Sequence, residues 1–211
     1  MMGYHGIIGV LFLVGLVVEA ITGALAAGRY RLDLMGVIFI ALVTALGGGA
    51  IRDICFDHHP MTWIKNPELI LLIIISALAT TKIAKMITKI KKTFLILDAV
   101  GLVVFSIVGT EIVMQLHQSI ILAVCGGVIT GVFGGILRDI LCNQIPLIFQ
   151  KEIYASVSIL SSLLFYILIN HTDLGSEIAS LITLVCGTCL RLLSLAYGFG
   201  LPVFHFDEEK E

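Results

Sequence analysis

The chain has 211 residues, 58% of them hydrophobic and 13% charged, with a mean hydropathy of +1.07 and a formal net charge of -2. Soluble domains carry about 25% charged residues, so this composition excludes a globular protein dispersed in water and points to an all-α integral membrane protein. The net charge itself says little, because what matters is where the charges sit, and no nucleic-acid partner is expected.

A helix needs about 20 residues to cross the hydrocarbon layer. The opening stretch "MMGYHGIIGVLFLVGLVVEA" lacks the basic start of a cleavable signal and leads into a full-length apolar run, so it reads as the first span. In chain order the predicted spans are 6–28, 34–56, 68–87, 95–116, 119–142, 153–170 and 176–198. Short connections leave one transmembrane domain over 1–211, followed by a polar tail from "FHFDEEKE" onward.

Lys and Arg favour cytoplasmic loops. Lys82, Lys85, Lys89, Lys91 and Lys92 lie between spans 3 and 4, Arg29 and Arg31 between spans 1 and 2, and Lys151 after span 5. The 4–5 loop is uncharged and the 6–7 loop "NHTDLGSE" is acidic. The pattern predicts a multi-pass protein of the inner (plasma) membrane, amino terminus outside and carboxy terminus cytoplasmic. Lys65, in the 2–3 loop, dissents. The lysine cluster reads either as a topogenic signal or as a contact for anionic lipid.

A shift of 86 positions superposes the chain on itself without a gap, with 16 identities over residues 11–65. "LFLVGLVVEAITG" (11–23) falls on "LDAVGLVVFSIVG" (97–109), and "GGGAIRDI" (47–54) on "FGGILRDI" (133–140). Repeat one covers about 5–90, repeat two about 91–172, and an extra helix about 175–200. Each repeat holds three spans; three is odd, so the second copy enters the membrane from the opposite side. In such inverted pairs polar sites form near the midplane, where interrupted helices of the two repeats meet.

Glycine costs about 1 kcal/mol relative to alanine inside a helix. Gly47, Gly48 and Gly49, with Gly134 and Gly135 in the second copy, therefore mark points where spans 2 and 5 can bend or unwind. The freed carbonyls are tolerable only against protein or a water-filled cavity. Close helix packing is the alternative reading, and it is the one assigned to Gly127 and Gly131, which share a G-x-x-x-G spacing with Gly135. Arg52-Asp53 and Arg138-Asp139 read as pore-facing couples, one toward each mouth of a single path, or as interfacial anchors. Thr44 and Thr130, one turn before the glycines, offer hydroxyls to an ion or back-bond to their own helix. Glu19 is the deepest remaining carboxylate; Asp98 reads as interfacial, and Glu111 is a weaker candidate. His58-His59 reads as loop polarity, and the five cysteines, including "CGTC" at 186–189, as packing residues without a metal or redox role.

The doubled Gly-Gly-x-[Ile/Leu]-Arg-Asp motif with its following proline, on two inverted three-span repeats plus a seventh span, resembles the prokaryotic TRIC (trimeric intracellular cation) channels. It is equally similar to the related bacterial proteins built from two glycine-transporter domains. The resemblance covers residues 5 to about 200. It implies a homotrimer with a pore in each subunit, lined by kinked spans 2 and 5 and conducting monovalent cations, potassium above all and sodium also. The Asp of the span-5 motif, here Asp139, would help form a constriction. Phe133 replaces the first glycine of the second copy, which implies a bulkier wall on that side, and Glu111-Ile112-Val113 lacks the lysine of a lipid-binding motif seen in animal members. A secondary carrier for a small neutral amino acid such as glycine needs the same two repeats and stays open beside the channel. No catalytic triad, metal cage or cofactor motif is legible, so neither an enzyme nor a cofactor is expected.

Overall fold

A computed structural model describes residues 6–86, 90–150, 153–198 and 200. Lys89 and Lys151 of the basic loops, the side chain of Lys85 and the polar tail lie outside the described residues. The described chain forms helices α1 (Ile7–Arg29), α2 (Leu34–Cys55), α3 (Thr62–Lys65), α4 (Glu68–Ile83), α5 (Ile90–Leu116), α6 (Ile120–Leu141), α7 (Tyr154–His171) and α8 (Ser176–Tyr197). The long helices are apolar runs free of proline: Pro60, Pro67 and Pro146 all sit in connections. An unbroken helix satisfies every backbone group internally, which is what lipid demands. At the start of α2, Asp33 Oδ1 accepts the Gly36 N–H at 2.7 Å, a side-chain cap at an otherwise unsatisfied donor.

Six helices, α1, α2, α5, α6, α7 and α8, are long and apolar enough to cross a membrane. The expected third span is shorter than predicted: α4 has 16 residues and continues as a 3-10 turn, Ala84–Met86. Conversely, α5 begins at Ile90 rather than 95, carrying Lys91 and Lys92 in its first turn. The short α3 was not foreseen.

α5 is the central element, packed on α1, α6, α7 and α8. One apolar core joins α1, α2 and α4 to one side of α5, and a second joins α6, α7 and α8 to its other side. The contacts also fix the relation between the repeats. Gly48 of α2 lies against the Thr130 carbonyl of α6, and Gly134 of α6 lies against the Thr44 carbonyl of α2. Residue numbers rise along one helix as they fall along the other, so α2 and α6 cross antiparallel. Gly15 of α1 meets Phe105 of α5 while Gly101 of α5 meets Glu19 of α1, which makes that pair antiparallel as well.

The crossing corrects the expectation of fractured spans. Helical structure runs unbroken through Gly47–Gly49 and through Phe133–Gly135. The missing Cβ atoms are used for close approach instead: a Cβ on Gly48 or Gly134 would overlap a carbonyl oxygen of the facing helix. Contact along the crossing offsets the conformational cost of the glycines, and no carbonyl is released into an apolar environment.

Candidate functional site

The last turns of α2 and α6 are built alike. Beyond α2, Asp57 adopts φ 51° and the His58 N–H reaches back to the Asp53 carbonyl at 2.8 Å. Beyond α6, Asn143 adopts φ 53° and the Gln144 N–H reaches the Asp139 carbonyl at 2.8 Å. This left-handed cap closes a helix on its own carbonyls, and Asp and Asn tolerate the conformation better than other non-glycine residues. It ends both helices just past their Arg-Asp couples.

At the first centre Arg52, 2% exposed, is held by its neighbour Asp53, with Nε and Nη2 both donating to Asp53 Oδ1 at 3.0 and 2.5 Å. Arg52 also donates to Thr62 Oγ1 at 3.2 Å and, across the crossing, to Thr130 Oγ1 at 3.4 Å. Asp53 Oδ2 accepts the Thr62 backbone N–H at 2.8 Å, and Oδ1 pairs with His58 Nδ1 at 2.9 Å. A cavity of about 20 Å³ adjoins this couple, room for about one water molecule.

The second centre is richer in carboxylates. Arg138, fully buried, donates from Nε to Asp139 Oδ1 at 2.8 Å and from Nη1 to Asp98 Oδ1 at 2.7 Å. Glu19 Oε2 lies 4.0 Å from the same Nη1, and Thr22 Oγ1 bonds Glu19 Oε2 at 2.9 Å while standing 3.4 Å from Arg138 Nη1. The guanidinium sits 4.6 Å from the centre of the Phe94 ring, an attractive cation–π contact. Asp139 Oδ2 accepts the Leu147 N–H at 3.1 Å. Asp98 Oδ2 and Arg138 Nη2 are buried without a hydrogen-bond partner.

The predicted residues thus divide. Arg52, Asp53 and Thr130 converge on one centre, and Arg138, Asp139 and Glu19 on the other. The near-complete burial of both arginines replaces the interfacial-anchor reading with an interior one. Asp98 requires a correction too: it is 1% exposed and bonded to Arg138, not interfacial. Thr44 and Thr130 donate to the Ile40 and Gly126 carbonyls at 2.6 and 2.7 Å. Gly47 faces Leu137, and Gly49 and Gly135 stand beside Arg52 and Arg138 of their own helices. Gly127 packs against Ser162 and Thr110, and Gly131 against Ser106. Glu111 lies apart, accepting from Gln115 Nε2 at 3.0 Å. Among the described residues no group of three or more His, Cys, Asp or Glu is arranged to hold a metal.

Sequence reasoning missed Thr22, Thr62, Phe94 and Arg191. Arg191 of α8 is buried and sits 4.9 Å from the Tyr154 ring centre. A signal existed for it: an arginine inside an otherwise apolar span is costly unless it faces protein.

Comparison with known proteins agrees with this architecture. Residues 9–85 and 95–170 each match the family model described as "Glycine transporter", and the two matches start 86 positions apart (95 − 9). The UPF0126 inner membrane protein YadS of Escherichia coli (strain K12) is 38% identical over 199 residues, covering 94% of this chain and 96% of that protein. A UPF0126 membrane protein of Vibrio cholerae is 33% identical, covering 90% of this chain and 80% of its own length. Among solved structures, the TRIC trimeric intracellular cation channel orthologue from Rhodobacter sphaeroides superposes with a TM-score of 0.86 at 33% identity, covering 90% of this chain and 97% of that one. A second TRIC cation channel structure gives a TM-score of 0.84 at 30% identity, covering 95% and 98%. With two matched copies spanning most of its length, this chain belongs to the glycine-transporter family of membrane proteins, and its fold is that of the TRIC cation channels.

Proposed function

We propose that the protein is a homotrimeric channel for monovalent cations, potassium foremost, with one conduction path in each subunit between α2 and α6. The observation that carries this reading is the antiparallel crossing with a buried Arg–carboxylate centre beyond each end. Arg52 and Arg138 each lie six residues past the middle of the crossing on their own helix. At 1.5 Å per residue that puts them about 9 Å to either side of it. Ionised groups are retained inside a membrane protein where they serve a polar path, and here two such centres are aligned along one helix pair. The solved structures of similar fold are described as cation channels, one of them as trimeric, which supports both the activity and the trimer.

In this reading the backbone contact at Gly48 and Gly134 is the closed arrangement. Among the described residues the hydrogen bond across it is the long Arg52–Thr130 contact, so separating the helices sacrifices mainly van der Waals contact. The hydroxyls of Thr44 and Thr130 already give their protons to helix carbonyls. Their oxygens are thereby left as acceptors, suited to replace part of a cation's water shell. Gly47, opposite Leu137, and Gly49 and Gly135, beside Arg52 and Arg138, leave those stretches of wall free of side chain, and Asp53 and Asp139 supply a carboxylate at each end. α4 with its 3-10 extension completes a seven-span protein of the inner membrane, the setting named for the Escherichia coli relative, with the amino terminus outside.

One observation favours a second reading, a secondary carrier of a small neutral amino acid such as glycine. The two helices touch at the centre, as an occluded carrier intermediate would. Purified protein in a planar bilayer separates the two. Discrete cation-selective openings support the channel; silent bilayers together with saturable glycine uptake into vesicles support the carrier.

A further inference from the structure

The internal repeat makes the two centres equivalent by position, yet at two matched sites an aromatic ring in one stands where a carboxyl group stands in the other. Adding 86 takes Phe12 to Asp98 and Glu19 to Phe105. The structure keeps this correspondence in space. Glu19 of α1 packs over Gly101 of α5 at the Arg138 centre, and Phe105 of α5 packs over Gly15 of α1 at the Arg52 centre. Where Arg138 is surrounded by Glu19 and Asp98, Arg52 is approached by Phe105 and Phe12, both of which line the small cavity beside it. The two rings stand 6.4 Å apart between centroids, tilted by 41°. One end of the crossing therefore carries an acidic pair, including the unpartnered and buried Asp98 Oδ2, and the other end carries an aromatic pair.

Resting on the conduction reading above, we propose that Phe12 and Phe105 form the apolar barrier of the path, and that Glu19 and Asp98 form its cation-collecting end, so that each subunit passes current unequally in the two directions. The physics differs at the two ends. The cavity is lined by Arg52, Asp53, Thr62 and Thr130 as well as by the two rings; where the rings narrow it, water is left with fewer hydrogen-bond partners, and apolar constrictions gate by dewetting. At the opposite end three carboxyl groups, Glu19, Asp98 and Asp139, surround the single guanidinium of Arg138, an acidic excess that draws cations to that side once the path opens. A path with a barrier at one end and a reservoir at the other rectifies; two identical ends would not.

The test is single-channel recording of the purified protein in symmetric potassium chloride, comparing currents at equal voltages of opposite sign. The wild type is expected to rectify at least twofold. Phe105→Ala is expected to raise open probability or conductance severalfold, and Phe105→Leu, which keeps an apolar wall, to stay near the wild type. Glu19→Gln is expected to lower the larger of the two currents and bring the ratio toward one. Should Phe105→Ala fail to run as a monodisperse protein on gel filtration, Phe12→Ala, on the half-buried side of the pair, gives the same readout. Symmetric wild-type current, or alanine variants that conduct like the wild type, overturns the barrier assignment while leaving conduction intact. A wild type that never conducts but accumulates glycine overturns the conduction reading itself, and the barrier assignment with it.

Discussion

Replacing Gly48 by alanine separates two accounts of the glycine motif. If the glycines served as a helix break, alanine would stiffen α2 and favour the closed state. The geometry argues the reverse. An added Cβ at Gly48 overlaps the Thr130 carbonyl oxygen, a backbone atom that cannot swing aside. Forcing an extra carbon into a packed contact costs about 1–3 kcal/mol. Alanine also gains about 1 kcal/mol of helix propensity over glycine, but α2 is helical whether or not it touches α6, so that gain cancels between the two states. The net effect falls on the closed contact and shifts the equilibrium toward separated helices by about 5- to 150-fold. Single-channel open probability should rise accordingly for Gly48→Ala, and for Gly134→Ala by the same argument. An unchanged or lowered open probability in a variant that folds and runs on gel filtration as the wild type does refutes the close-packed reading of the crossing.

Three further outcomes follow from the same contacts. Asp98→Asn leaves Arg138 buried with one carboxylate fewer, and weakening a hydrogen bond to a charged group by about 1.5–3 kcal/mol should lower the thermal unfolding midpoint by several degrees in a dispersion assay; an unaltered midpoint removes Asp98 from the network. Asp139→Asn, which weakens both the Arg138 and the Leu147 interactions, should change conductance or gating more than Glu111→Gln, whose partner Gln115 is a neighbour on the same exposed helix turn; equal effects count against the Arg138 centre. In a cysteine-free background an impermeant maleimide applied to intact cells should label His59→Cys and spare Gln144→Cys, both sites being exposed and at matched ends of the two repeats; labelling of both contradicts the opposed orientation.

Much of the fold was legible because lipid leaves few options. Long apolar runs without proline become helices, and the 86-residue shift located the two copies and, through the odd span count, the antiparallel arrangement that the α2–α6 and α1–α5 contacts display. The length of the third apolar segment was less legible: its basic flank, Lys82 onward, can belong to a helix or to a turn, and the structure divides it between α4 and a 3-10 turn. The glycine motif was misread for a physical reason. A missing Cβ permits both a break and a close approach, and only the facing backbone, here Thr44 and Thr130, decides between them. The Arg138 centre was half legible. Glu19, Arg138 and Asp139 stood out as charges inside spans, whereas Asp98 was placed at the membrane surface because α5 was expected to begin at 95. With α5 starting at Ile90, Asp98 lies two turns inside the helix and reaches an arginine 40 residues away.

The most direct test of the account is to lock the crossing. Gly47 of α2 and Leu137 of α6 face each other, so the double variant Gly47→Cys/Leu137→Cys can be joined by oxidation or by a short bifunctional thiol reagent while potassium current is recorded. Current is expected from the reduced protein, with its loss as cross-linking proceeds and recovery when a disulfide is reduced. Potassium current that persists through complete cross-linking contradicts the claim that conduction requires α2 and α6 to part.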